Sequence, residues 1–500
     1  MTVTGPGGQP TSRRVELVTP RDLVSRAAAL LEAGFRLALV AGHDDGAALR
    51  VVYVFCAGPP DRRVELQVRL SPDYPTVPSL AAMSFPASRF ERELYDLFGI
   101  DPIGHPFRRP LVRHQHWPQD WHPMRRGAGP MPPMRPDAEP FPFAAVEGPG
   151  VYEIPVGPVH AGLIEPGHFR FFVVGETILK MKARLWFVHR GVERLFEGRP
   201  VDDGVDLAER ISGDTAAGHT LAYCLAVEDA LRVEVPHDAQ LLRAIVVELE
   251  RITNHVADLG ALCNDVGFAV AQARALTLRE RLMRLGAEMT GHRLLRGAIR
   301  PGAAGLRRLP TEAELAAFAA GVDDLVGLAT SNTVVMDRFK GTAILSRQDA
   351  EGIGVLGVVA RASGVAVDAR ISHPFFDVEA DTAPVVEDGG DVAARFSVRS
   401  REVAASLRLV ADLVGQVRSL DVSVDVPREG GSGLGIVEAW RGTIVHRVEV
   451  DGEGHLTRVK VVDPSFLNWP ALSVALADTI VPDFPLANKS FNLSYAGNDL

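Results

Sequence analysis

Between Trp117 and Phe143 the chain reads WPQDWHPMRRGAGPMPPMRPDAEPFPF, with eight prolines. Proline lacks a backbone N–H and locks φ, so such a stretch can be neither an interior helix nor a central strand. It must be a linker or an extended arm lying on a neighbour. The chain is thereby cut into two folding regions, as expected for 500 residues, which are too many for one core. The expected division is a flexible tail over 1–15, a small region over 16–116, a Pro-rich linker over 117–149 and a larger region over 150–500.

The small region alternates helical and strand patterns. DLVSRAAALLEAGF has helical spacing, LRVVYVFCA and RVELQVRLS read as strands, and SRFERELYDLFGI reads as a helix ended by Gly99. The larger region opens on strand-like VYEIPVGPVHAG and HFRFFVVGETILKMKARL, and helices follow. In the segment from Leu241, the residues Leu242, Ile245, Leu249, Ile252, Val256 and Leu259 recur every three or four positions. That is a one-sided seam of a helix bundle. Glu250, Arg251, Asn254, His255 and Asp258 lie off the seam, and ERITNH is expected to be a solvated or interface face. GIVEAWRGTIVHRVEVDGEGHLTRVKVVDPSF is expected to form two strands around the Asp451–Gly452 turn. The fold class is α+β, with a small α+β domain followed by a helix-bundle domain flanked by strands.

Composition narrows function. A net charge of -10 with no long basic run argues against nucleic acid as partner. Cys56, Cys224 and Cys263 are too scattered for a disulfide framework or a cluster site, and fit a reducing compartment. No apolar run reaches the roughly 18 residues a membrane span needs, and no secretory signal is expected. The GGSGLG run neither follows a strand nor opens a helix, so no nicotinamide site is expected. The acidic stretch 377–396 reads as a surface loop before a helix.

Several separate motifs carry a family resemblance. ERELYDLFGIDPIGHPFRRPL, residues 91–111, resembles the signature of the 30-kDa subunit of respiratory complex I. GPVHAGLIEPGHFRF, FVHRGVERLFEGR and VVDPSFLNWPAL resemble the 49-kDa subunit, and more closely the large subunit of membrane-bound, formate-hydrogenlyase-type nickel–iron hydrogenases. The resemblance implies a peripheral place on the inner, cytoplasmic face of the cell membrane, within a hetero-oligomeric complex. It implies as partners a small iron–sulfur subunit that holds the cluster, and antiporter-like membrane subunits.

In the hydrogenases an early R-x-C-G-x-C-x-x-x-H and a late D-P-C-x-x-C hold the metal pair. Here the early frame contains Arg210, Ser212, Gly213, Thr215 and His219, and the late frame contains Asp463, Pro464, Ser465 and Asn468. The four thiol positions are thus Ser212, Thr215, Ser465 and Asn468. Nickel favours soft thiolates, so no metal and no nickel–iron centre is expected. No cofactor is expected to be bound by this chain, with a quinone left as the one open case. The family's quinone histidine and tyrosine positions fall on Ile164 and Gly213. No maturation trimming of the 32 residues after Asn468 is expected.

The remaining polar candidates for the cavity are His160, Glu165, His168, His189, Arg190, Glu193, Arg210, Asp214, His219 and Asp463. One reading makes them a proton path or quinone pocket. The other makes them structural ion pairs and caps, with Arg190 and Glu193 paired at i,i+3. Two function classes stay open. One is an oxidoreductase subunit passing electrons from a partner's cluster to a quinone or other acceptor. The other is a structural or coupling subunit. An active hydrogenase with unusual ligands has the least support.

Overall fold

The computed structural model describes residues 3–4, 10–136, 138–139, 141–143, 145–161, 164–376 and 383–500. The first region is a sheet flanked by helices. Strands β1 (Pro10–Leu17), β2 (Arg36–Asp44), β3 (Leu49–Ala57) and β4 (Arg62–Leu70) lie in the order β1-β4-β3-β2, with β1 parallel to β4 and the other pairs antiparallel. Residues 10–15, expected in a flexible tail, are therefore a paired strand; 1, 2 and 5–9 lie outside the described residues. The run SRRVEL is too polar to announce a strand, but it pairs with β4 on one side and with the short strand Val3–Thr4 on the other.

Helix α1 (Pro20–Glu32) is capped by the Thr19 hydroxyl, which accepts from the Asp22 N–H. Helix α2 (Phe85–Phe98) presses onto β2, where a Cβ on Gly42 would come within 2.6 Å of the Phe98 ring. The second region begins with the antiparallel strands β5 (Val151–Val156), β6 (His168–Val174) and β7 (Thr177–Arg184). Between the two, the described residues of the Pro-rich stretch form no helix or strand and lie on their own chain. The Arg170 guanidinium stands 4.0 Å from the Phe143 ring centre, and Arg184 covers Phe141.

The helical core is built on α3 (Ala216–Leu231), of whose 16 residues all but Asp229 are buried. A helix apolar on every side belongs at the centre of a bundle. Against it packs α4 (His237–Asp265), which carries α5 (Ala269–Thr290) and α7 (Val392–Val414), with α6 (Glu312–Ser331) lying against those two. Residues 377–382 of the acidic stretch lie outside the described residues, and α7 starts within its second half.

The polar side of α4 corrects the expectation of a solvated face. Glu250, Arg251, His255 and Asp258 are buried. Arg251 and His255 meet Glu402 of α7 at 3.8 and 2.9 Å, and Asp258 meets Arg399 at 2.8 Å. Periodicity located the apolar stripe, but the opposite face is covered by a second helix that supplies counter-ions.

The strand-rich segment near the end holds three strands, not two: β8 (Gly431–Ala439), β9 (Gly442–Val450) and β10 (Leu456–Val462). Gly431, Gly433 and Gly435 face α3, and a Cβ on each would fall 2.1, 1.9 and 1.9 Å from the carbonyl oxygens of Ala230, Ala226 and Ala222. Glycines at every second strand position thus match carbonyls at every fourth helix position. Three helices follow: α8 (Pro464–Ala475), α9 (Phe484–Phe491) and α10 (Tyr495–Asp499).

The two regions share one core. Phe90 of α2 stacks on Phe466 of α8 at 5.0 Å, Arg447 of β9 pairs with Glu65 of β4, and Lys460 of β10 reaches Glu93 of α2. The α2 face is thus a docking surface toward the larger region of its own chain.

Candidate functional site

The early and late motifs meet. Residues 210–219 lead into α3, while Asp463 ends β10 and caps α8, its Oδ1 accepting from the Ser465 N–H at 2.7 Å. The Nε2 of His219 lies 3.0 Å from Asp463 Oδ2, and its Nδ1 lies 3.1 Å from His446 Nε2. All three side chains are buried. Burial pushes the Asp463 carboxyl up, but the His219 hydrogen bond and Arg441 outweigh it and leave the group below its ordinary range. Burial holds His446 well below the usual imidazole range, helped by His219 beside it. His219 thus bridges the Asp463 carboxylate and His446 through its two ring nitrogens.

A second group sits at the N-terminus of α3. The half-buried Asp214 carboxylate takes a fork from Arg441, at 2.6 and 2.7 Å, and hydroxyl donors from Ser212 and Thr215, each at 3.1 Å. Burial raises this carboxyl, but the Arg441 charge dominates and brings it to about 2. Arg441 and Trp440 come from the tight β8–β9 turn, and both donate to Thr215 Oγ1. Next to this group, Glu250 of α4 accepts from the N–H groups of Ala217 and Gly218 at 2.7 and 3.0 Å. Burial pushes Glu250 up to about 8.

The four thiol positions are all committed to protein partners. Thr215 serves Arg441 and Trp440. Asn468 closes a two-way bond with the Leu356 backbone, at 2.8 and 3.0 Å. Ser212 and Ser465 both bond Ser494, one through its hydroxyl at 2.8 Å and the other through its N–H at 2.9 Å. Two hydroxyls in a serine bridge, a hydroxyl beside a guanidinium and a neutral amide are a poor match for nickel and iron, which call for deprotonated sulfur.

The other candidates are more dispersed. His160 and His168 bond carbonyls of their own turn, Gly167 and Gly157. Glu165 accepts from the Ala496 N–H at 3.1 Å, and His189 bonds the Asp499 carbonyl at 2.6 Å. Arg190 and Glu193 do not pair, contrary to expectation. Arg190 donates to the carbonyls of Arg210, Ile211 and Ala496. Glu193 turns inward to Arg458 and Lys460, at 2.7 and 2.9 Å, since β10 brings two buried cations to it. Burial raises Glu193, but those cations win and hold it at about 2. Arg210 is exposed and bonds Asp206.

Sequence reading missed Arg441, Trp440, His446 and Ser494. The WRG turn was the only visible signal, because a Trp–Arg pair in a two-residue turn is an unusual choice. Among the described residues one trio elsewhere, His43, Asp45 and Glu449, brings ligand atoms within 4.8 Å of one another. Arg50 already forks onto both carboxylates and Arg447 reaches Glu449 at 2.9 Å, so both carboxylates already have protein cations as partners.

Comparison with known proteins places these motifs. Residues 17–130 match the respiratory-chain NADH dehydrogenase 30 Kd subunit, 190–263 the nickel-dependent hydrogenases, and 265–430 the 49 Kd subunit. Hydrogenase-4 component G of Escherichia coli (strain K12) is 34% identical over 427 residues, 82% of this chain and 73% of that protein. Formate hydrogenlyase subunit 5 of the same organism is 32% identical over 455 residues, 87% and 78% of the two chains. An NADH-quinone oxidoreductase subunit of Phocaeicola vulgatus is 28% identical over 416 residues, 77% and 79% of the two. A chain in the structure of the membrane-bound sulfane sulfur reductase, an archaeal respiratory membrane complex, superposes with a TM-score of 0.65 at 27% identity, over 70% of this chain and 99% of that one. No helix among the described residues is long and apolar enough to cross a membrane. The chain therefore belongs to the family of large subunits shared by membrane-bound hydrogenases and complex I-like complexes, with the 30-kDa-type and 49-kDa-type regions fused.

Proposed function

We propose that this chain is a coupling and scaffold subunit of a membrane-associated, complex I-like oxidoreductase, and that it works without a nickel–iron centre. It sits peripherally on the inner face of the membrane, between a small iron–sulfur subunit and antiporter-like membrane subunits. The observation that carries the reading is the bridge Ser212–Ser494–Ser465, in which one serine ties together the serines at two of the thiol positions. The test is elemental analysis of the purified complex. Iron without nickel is expected, and nickel at about one per chain would overturn the proposal.

A second reading, electron transfer to a quinone or other acceptor, is favoured by one feature. A groove beside Gly213 is lined by Leu249, Leu282, Met283 and Leu295 together with the polar Asp214, Glu250, Asn254, Arg279 and Arg293. Apolar walls with a few convergent polar groups suit a small amphipathic ligand. Reduction of a quinone analogue by the whole complex, lost when the groove is filled by Met283→Trp, would select this reading.

A further inference from the structure

The segment Asn492–Leu500 is polar and short, yet almost entirely internal. Ser494, Asn498 and Asp499 are 6%, 1% and 1% exposed. Buried backbone and polar side chains need partners, and these partners come from both halves of the former metal site. Asn492 accepts from Arg441 through its carbonyl and donates to Asp258 through its amide, each at 2.6 Å. Ser494 bonds Ser212 and Ser465, and its carbonyl accepts from the Trp469 indole. The Tyr495 ring packs on Trp469 at 4.9 Å and on Gly167, where a Cβ would approach it to 2.6 Å. Gly497 lies against the Asp463 carboxylate, and a Cβ there would fall 2.6 Å from Asp463 Cγ. Asp499 accepts from the Val188 N–H, while the Leu500 carbonyl accepts from the N–H groups of Arg190 and Gly191.

We infer that this segment is an internal occupant of the family's metal position, and that Ser494 replaces the metals as the cross-link between the early and late motifs. In a metal site, thiolates from two distant parts of the chain are tied by the ion they share. Here Ser212 and Ser465, 253 positions apart, are tied by one residue of the same chain. The lining supports this occupant specifically. Gly167 of the lining leaves room for Tyr495, Gly497 of the segment lets it lie against Asp463, and Ser212 and Ser465 supply polar partners. Exclusion of metal is then an act of this segment and not only a result of missing thiols. The inference rests on the functional reading above for where the metal position lies, but it names what holds that position closed.

The test uses the full chain in its complex. The oxygens of Ser212 and Ser494 are 2.8 Å apart, within the reach of a disulfide after small adjustment. Ser212→Cys with Ser494→Cys is expected to form that disulfide in most molecules under mild oxidation, and neither single variant should. Two free thiols that both react with a maleimide would overturn the inference. A second arm restores all four thiols, as S212C, T215C, S465C and N468C, and offers Co2+ as the probe. No thiolate–cobalt absorption is expected while the segment is present. The same variant shortened after Phe491 is expected to show it. Cobalt taken up equally by the long form would overturn the inference, and where the short form does not fold, the disulfide decides. Nickel in the native complex would sink the functional reading, whereas an absent disulfide would sink this one alone.

Discussion

His219 and Asp463, 244 positions apart, meet at 3.0 Å with both side chains out of solvent. The same carboxylate caps α8 through the Ser465 N–H. Asp463→Ala removes a charged acceptor and a helix cap together, and is expected to cost about 3–5 kcal/mol in urea unfolding. Asp463→Asn keeps an acceptor and is expected to cost about half as much. The folded carboxyl lies below its ordinary range. Its stabilisation is thus full above that range and lost as pH falls through the folded value. The wild type should therefore lose stability more steeply below pH 4 than Asp463→Asn, and equal slopes would contradict the pairing.

Gly433 faces the Ala226 carbonyl so closely that a Cβ would sit 1.9 Å from its oxygen and 2.4 Å from the Ala230 nitrogen. Neither atom can rotate away, so Gly433→Ala must push β8 off α3. A loss of about 3 kcal/mol or more is expected, at the upper end of overpacking costs. Gly452→Ala meets nothing within 4 Å and should stay within about 0.5 kcal/mol. Parallel melting curves of the two variants decide this.

What was legible follows from which interactions are local. The apolar stripe of α4, the α2 stop at Gly99 and the proline break are set by neighbours in sequence, and all can be read there. The early and late motifs were legible through resemblance. The burial of Arg251 and His255 was not, because periodicity says which face is apolar and not whether water or α7 covers the other. Arg190 and Glu193 looked like an i,i+3 pair, but two buried cations on β10 outcompete a surface partner. Gly431, Gly433 and Gly435 are legible as a spacing, yet their meaning appears only once α3 lies across them. Ser494 had no local signal: its partners lie 282 and 29 positions away.

Lys460 joins the two regions. It donates to both oxygens of Glu93 at 2.8 Å and to Glu193 at 2.9 Å, with all three side chains nearly buried. Lys460→Met strands the Glu93 carboxylate in the core, while Glu193 keeps Arg458, and is expected to cost about 3–5 kcal/mol, as for breaking a buried pair from one side. Because the regions share this contact and one apolar core, the wild type should melt in a single calorimetric transition. Two resolved transitions, one lost on truncation before Val151, would show instead that the regions are independent.

Glu250 supplies a pH test of opposite sign to Asp463. Burial raises its folded pKa to about 8, against an ordinary 4.5, despite two backbone donors at the start of α3. Between those values the folded chain keeps a proton that the unfolded chain has released. Stability then falls as pH rises through this window, because the folded state binds the extra proton. Above about pH 8 both states are ionised and the penalty levels off. Glu250→Gln cannot ionise, so its contribution should be flat, even though its amide loses one backbone bond at a cost of about 1 kcal/mol. Urea unfolding at pH 5, 6.5 and 8 is expected to show the variant less stable than wild type at pH 5, with the gap closing or reversing by pH 8. A constant gap would mean that the two N–H groups keep Glu250 ionised throughout. The groove beside Gly213 would then be lined at Glu250 by a carboxylate, which accepts hydrogen bonds but donates none.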